Sequence, residues 1–256
     1  MGILQTLGDV MVKNGLITAF AFVGIVVWLS YLVSNKLTAG RIHGSAIAIF
    51  VGLVLAWVGG VVTGGANGLA DITVLGGVGV MGGAMLRDFT IVATAFGVNF
   101  DEIRRAGIGA VISLLVGVLG SFAVGAAVAY AFGYTDAVSM TTIGAGAATY
   151  IVGPVTGSAI GASSEVIALS IAAGLVKSMM VMIGTPFVAK AIGLDNAKSA
   201  MIFGGLMGTT SGVAGGLAAT DKRLVPYGAM TATFYTGLGC LLGPSVFYFA
   251  VRALTG

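Results

Sequence analysis

Few residues in this chain could do chemistry, and most stand where charge is unwelcome. Between Asp71 and Asp101 the charged residues are Arg87 and Asp88, and between Glu165 and Lys190 there is Lys177 alone. An ionisable group deep in an apolar segment costs about 2.5–3.5 kcal/mol to insert into a bilayer, so it faces a protein interior and finds a partner. Arg87 offers a planar, permanently charged fork suited to a carboxylate, and Asp88 is a hard oxygen ligand suited to a cation. The plainer alternative is that the two neutralise neighbours at a helix end. Lys177 falls on one helix face with Ser170, Ala173, Gly174 and Gly184, small residues that let another helix approach. Glu165 lies roughly 18 Å away along a straight helix axis, so Lys177 needs another segment, a water cavity or an anion, unless it snorkels to an interface.

Two further patches carry neutral chemistry. Thr141-Thr142-Ile143-Gly144-Ala145-Gly146-Ala147-Ala148-Thr149 runs on to Gly153-Pro154-Val155-Thr156-Gly157-Ser158, and Gly204-Gly205-Leu206-Met207-Gly208-Thr209-Thr210-Ser211-Gly212 has the same texture. A helix that unwinds inside a membrane exposes backbone groups that hydrocarbon cannot satisfy, so the break must be buried in protein or line a wet cavity. Freed amides at a half-helix start bind carboxylates. Freed carbonyls and hydroxyls supply oxygens for a small hard cation, and paired broken segments are the pointer to a midplane site in secondary transporters. On this division the candidate contacts to a substrate anion are Arg87, Thr142, Gly144, Thr156, Gly157, Ser158, Lys177, Thr209, Thr210 and Ser211. Those for sodium are Asp88, Thr141, Thr149, Gly208, Thr210 and Gly212. The alternative reading of both patches is tight helix packing.

The elements that must position these residues are membrane helices. The 256 residues are 57% hydrophobic and 8% charged, with 43 glycines and a mean hydropathy of +1.07. A soluble domain carries about 25% charged residues, so this is an all-α, polytopic membrane protein, read as one transporter domain over 1–256 with a short interfacial lead-in at 1–13. Uncharged runs predict spans over 14–35, 45–62, 106–135, 199–220 and 228–251. One span, with a re-entrant hairpin as the alternative, carries Arg87-Asp88 near its middle, another runs from Glu165 to Lys190, and 137–164 forms a broken helix or re-entrant hairpin. That makes eight membrane-embedded segments. If they alternate, Lys36, Arg41, Arg104, Arg105, Lys222 and Arg223 share one side, and Lys13, Lys190, Lys198 and Arg252 the other. The positive-inside bias then puts the first group in the cytoplasm. A faint likeness between the patches centred on Val152 and Gly212 is what an inverted duplication would leave, and glycine enrichment by itself would leave it too.

Other chemistries find no support. Twelve scattered basic residues are loop anchors rather than a nucleic-acid surface. The single histidine, His43, lies in a basic loop, and the single cysteine, Cys240, lies in an apolar run, so no metal cluster or disulfide framework is expected. No phosphate-binding loop, HExxH, GxSxG or dinucleotide fingerprint occurs, and no organic cofactor is expected.

The same segments resemble a known family. GRIHGSAIAI at 40–49, GGAMLRDFTIVATAFG at 82–97, VSMTTIGAGAATYIVGPVTGSAIG at 138–161 and FGGLMGTTSGVAGGLAATD at 203–221 look like the MadM subunit of the bacterial malonate:sodium symporter, and the likeness covers essentially the whole chain. It implies malonate uptake with sodium as coupling ion, a bacterial inner-membrane location, and a smaller membrane partner, MadL. Competing readings are the membrane subunit of a sodium-pumping decarboxylase and a sodium-coupled carrier of another small carboxylate.

Overall fold

A computed structural model describes residues 2–39, 44–65, 67–81 and 100–255. The chain falls into two compact units, Met1–Thr90 and Ile91–Gly256. Among the described residues every regular element is helical, and five segments are long and apolar enough to cross a membrane: Gly15–Leu37, Gly44–Leu75, Gly107–Ala131, Glu165–Val188 and Lys222–Thr255.

In the first unit, α1 (Ile3–Lys13) is amphipathic. Its Ile3, Leu7 and Val10 recur at helical spacing and are all more than half exposed, the pattern of a helix lying in a membrane interface. Asn14 ends it, donating from its side chain to the Val10 carbonyl. Helices α2 (Gly15–Leu37) and α3 (Gly44–Thr63) pack through a small-residue contact, with Gly44 against the Tyr31 ring and Tyr31 Oη 3.1 Å from Ser45 Oγ. The turn-rich stretch after Thr63 is closed by Asp71, whose carboxylate accepts from the Asn67 amide and side chain at 2.6 and 2.9 Å. The four-residue α4 (Gly77–Val80) follows. Arg87 and Asp88, and the span assigned to them, lie outside the described residues.

The second unit has three long helices and two helical hairpins. Helix α5 (Phe100–Ala131) bends at Gly107, which adopts φ +59°. The first hairpin follows as α6 (Ala137–Ala148) and α7 (Val152–Ile160). A methyl on Gly153 would come within 2.9 Å of Gly146 Cα, and one on Gly157 within 2.7 Å of Thr142 Cγ2, so the arms run antiparallel. Helix α8 (Ser164–Val188) leads to the second hairpin, α9 (Ala197–Met207) and α10 (Thr210–Ala218), and then to α11 (Val225–Leu242). Gly228 of α11 is wedged between its arms, touching Ala200 on one and Val213 on the other. After Leu242 the helix widens into a π-helical turn, Gly243–Phe247, before α12 (Tyr248–Thr255).

The hairpins approach α5 from opposite ends and stop near its middle. Along its first half, Gly109 meets Ile202, Gly205 meets Ser113, and Gly117 meets Leu206. Along its second half, Phe122 meets Gly144 and Gly125 meets Ala147. Helix α8 is shared in the same way: Ile167, Ser170 and Gly174 touch Gly157, Gly153 and Tyr150, while Ser178, Met182 and Thr185 touch Gly212, Gly215 and Gly216. A side chain as small as hydrogen at these contacts is what lets the backbones come so close.

This geometry corrects two sequence expectations. Residues 199–220 do not form a crossing, because Gly208 reverses the chain in the middle of the apolar run. The assumed alternation of charged loops fails with it. The start of α5, the end of α8, the base of the second hairpin and the start of α11 share one end of the unit, so Lys190 and Lys198 belong with Arg104, Lys222 and Arg223.

Candidate substrate site at the hairpin tips

Each hairpin is started by a side-chain cap. The Asp136 carboxylate accepts from the Ser139 amide at 2.8 Å, and Asn196 and Ser199 form a reciprocal capping box. Such caps satisfy amides that a helix start leaves without partners. Partial burial pushes the Asp136 carboxyl up, but the hydrogen bonds from Ser139 outweigh it and hold the group below the usual carboxylate range.

The two tips converge on Lys177 and Tyr235. At the first tip α6 ends at Ala148, and Thr149 turns extended with φ −162°. Lys177, midway along α8, donates to the Ala148 carbonyl at 2.7 Å, to Ser121 Oγ at 2.9 Å and to Tyr235 Oη at 3.3 Å. Its ammonium also lies 5.1 Å from the Tyr235 ring centroid. A cation at the carbonyl end of a half-helix is favoured by the helix dipole. Tyr235 is fully buried and donates to the Gly117 carbonyl at 3.0 Å. All of these acceptors are neutral, and the ion pair found among the described residues is the exposed Arg223–Asp221 contact. Among the described residues the lysine charge is therefore met by dipoles and not by a carboxylate.

At the second tip Gly208 takes φ +70° and lies flat against the Tyr235 ring, so any side chain there would strike the ring. Thr209 precedes α10 in extended conformation but does not cap it. Its hydroxyl is fully buried and has no hydrogen-bond partner among the described residues. The first amides of α10, at Thr210, Ser211 and Gly212, have no acceptor one turn back. Ser211 Oγ is 2.8 Å from Ser178 Oγ, which ties this helix start to the residue next to Lys177.

The other sequence candidates scatter by role. Thr142 donates to the Val138 carbonyl at 2.8 Å and packs on Gly157, and Gly144 packs on Phe122. Ser158 is exposed on the outer face of α7. Thr141 and Thr156 are buried with unpartnered hydroxyls, and Gly212 packs against the Ser178 carbonyl and Val181. Sequence reasoning missed Tyr235, Ser121 and Ser178. One signal could have found Tyr235: tyrosines favour membrane interfaces, and this one sits mid-span.

Half-buried cationic and helix-start groups of this kind are suited to hold a small carboxylate away from lipid, and the apolar segments around them define a multi-pass membrane protein. No curated protein and no solved structure matches the chain. The profile of the malonate/sodium symporter MadM subunit matches residues 7–255, nearly the whole length. The chain belongs to the malonate/sodium symporter MadM subunit family, and is a membrane transporter subunit.

Proposed function

We propose that this subunit imports malonate together with sodium by alternating access, with the dicarboxylate bound between the two hairpin tips. The observation that carries the reading is the convergence of the two tips on the Lys177–Tyr235 pair, the first on the half-buried lysine, whose described partners are all neutral oxygens, and the second on the tyrosine ring. Malonate has two carboxylates on one carbon. One would take the Lys177 ammonium, and the other the Thr209 hydroxyl and the first amides of α10, since a helix start is a ready anion site.

The order of elements supports an inverted repeat. The caps Asp136 and Asn196, the serines Ser139 and Ser199, Gly144 and Gly204, and Thr149 and Thr209 recur at a constant sixty-residue offset. A hairpin that re-enters and leaves on its own side, followed by one crossing helix, inverts the next copy. Arg104, Arg105, Lys190, Lys198, Lys222 and Arg223 then share one side, against Arg252 on the other. The positive-inside bias makes the first side cytoplasmic, so the first hairpin is the outer gate and the second the inner gate. In a bacterium the membrane is the cytoplasmic one, and the partner is a smaller MadL-like membrane subunit.

The test is uptake of radiolabelled malonate into proteoliposomes holding this chain with its partner subunit. An inward sodium gradient should drive accumulation, and collapsing it should abolish accumulation. Uptake indifferent to sodium would refute the coupling. Full uptake by this chain alone would refute the need for a partner. Thr209→Val, which deletes the buried hydroxyl and keeps the side-chain shape, should weaken apparent malonate affinity, and an unchanged value would remove that hydroxyl from the site.

A further inference from the structure

Helical threonines in this unit normally close on their own helix. Thr142, Thr185, Thr231, Thr233 and Thr236 each donate to the carbonyl four residues back. Thr141 and Thr156 do not. Both are fully buried, and neither Oγ1 has a hydrogen-bond partner among the described residues. A buried hydroxyl that forgoes a partner always within reach is aimed at something else.

Both hydroxyls belong to the first hairpin, and both point to one side of it. Thr142 and Gly157 face each other across the antiparallel arms. Thr141 and Thr156 each come one residue before a facing position, and in antiparallel helices that step turns both to the same flank. The flank is occupied by the π-helical turn. Thr156 Oγ1 lies where a side chain at Gly243 would have to be, so the hydroxyl approaches the widened backbone directly. Ala148, two turns beyond Thr141 on that flank, shares a buried cluster with Phe247 at the other end of the turn. π-Helical turns inside longer helices are frequent at functional sites.

The second hairpin shows what this position looks like without a ligand to hold. Sixty residues after Thr141 and Thr156 stand Met201 and Gly216. Gly216 packs on Thr185, whose hydroxyl donates to the Val181 carbonyl. At these two arm positions only the first hairpin carries unpartnered oxygens; the second hairpin's unpartnered hydroxyl, Thr209, lies at its tip.

We infer that Thr141, Thr156 and the backbone oxygens of the Gly243–Phe247 turn form a site for a hard monovalent cation, the coupling sodium. The donor set is hydroxyl and carbonyl oxygen, which suits such a cation, and glycine at 243 allows the close approach that a small ion requires. Of the residues that meet this flank, Ala148 and Phe247 are apolar and Gly243 has no side chain, so none of them offers an anion a basic partner. The inference rests on the sodium-coupled reading above. It adds that the ion sits on the flank of the first hairpin, separate from the carboxylate site at the tips, so that sodium binding would fix the arm whose tip meets Lys177.

The test is thermal stabilisation of the purified protein with its partner subunit, titrated with sodium chloride against choline chloride without malonate. Sodium should stabilise the wild type. Thr156→Val and Thr141→Val, which keep the shape, should raise the half-saturating sodium concentration at least tenfold, while Thr156→Ser should leave it within twofold. If the valine variants do not fold, Gly243→Ala, whose methyl strikes the Thr156 hydroxyl, should give the same tenfold rise. Lys177→Met should lose the response to malonate and keep the response to sodium, which separates failure of this inference from failure of the substrate site. Valine variants with unchanged sodium response would overturn the inference and leave a buried water as the hydroxyls' partner. A wild type indifferent to sodium would overturn it as well.

Discussion

Lys177→Met removes the charge at the meeting point of the hairpins while keeping an unbranched side chain of similar length. Two opposing changes follow in the substrate-free protein. Three hydrogen bonds, to Ser121, Ala148 and Tyr235, are lost, each contributing about 0.5–1.5 kcal/mol, or more because the donor is charged. Against that, an ammonium no longer has to leave water, a cost of several kcal/mol for a buried ion. The two nearly offset, so substrate-free stability should change by no more than about 1–2 kcal/mol. Malonate binding has no such compensation. A hydrogen bond between ammonium and carboxylate contributes about 1.5–3 kcal/mol, and 1.4 kcal/mol is a factor of ten. Affinity should therefore fall roughly ten- to a hundredfold. Calorimetric titration of malonate into the purified protein with its partner subunit reads this directly, with the thermal midpoint as a check on folding. Lys177→Arg should recover only part of the loss, because a planar fork cannot reproduce three converging bonds of 2.7, 2.9 and 3.3 Å. A folded methionine variant that binds malonate within threefold of wild type would refute the assignment.

Three further outcomes are expected. Gly208→Ala combines φ +70° with a methyl driven into the Tyr235 ring; a left-handed non-glycine residue alone costs about 1–2 kcal/mol, so transport should be lost while membrane insertion, read by fractionation, stays normal. Tyr235→Phe deletes the donor to the Gly117 carbonyl and one acceptor of Lys177; stability should fall by about 1 kcal/mol, and malonate KM should rise in uptake assays. Asp136→Ala should cost about 1 kcal/mol as a lost helix cap. Because the Asp136 carboxyl is held below its ordinary value in the folded protein, its contribution is full above that ordinary value and disappears as the pH falls through the lowered one. The gap between wild type and the alanine variant, read as melting temperature from pH 7 to pH 3, should close at the acid end; a constant gap would mean that the carboxylate is not the capping group.

The long helices were legible because an uncharged apolar run of twenty or more residues has one structural meaning in a membrane. The first hairpin was legible as a broken or re-entrant helix, the second only as a break. Glycine and threonine at 207–212 announce that a helix stops, but whether the next helix continues or folds back depends on what packs beside it. Here Gly228 decides by fitting between the arms, and nothing local to Gly208 reveals that. The same limit misassigned Lys190 and Lys198, since loop sides were counted from crossings. Lys177 stood out because its cost in an apolar run is large. Its partners did not, since Ser121, the Ala148 carbonyl and Tyr235 are ordinary residues of three other helices that only the tertiary arrangement brings together.

The order in which those partners leave the ribosome bears on how the protein is made. Ser121 and Ala148 precede Lys177 in the chain, and Tyr235 follows it by nearly sixty residues. When α8 is handed to the membrane, the helix and half-helix that receive its ammonium are already synthesised, so the charged segment need not wait in lipid unescorted. The last fastening comes only with α11, whose tyrosine closes on the lysine and whose Gly228 shuts the second hairpin. A nascent chain halted before Gly228 would hold its first hairpin in place and leave its second without the wedge that folds it. Assembly of this unit is therefore sequential along the chain and is completed by α11.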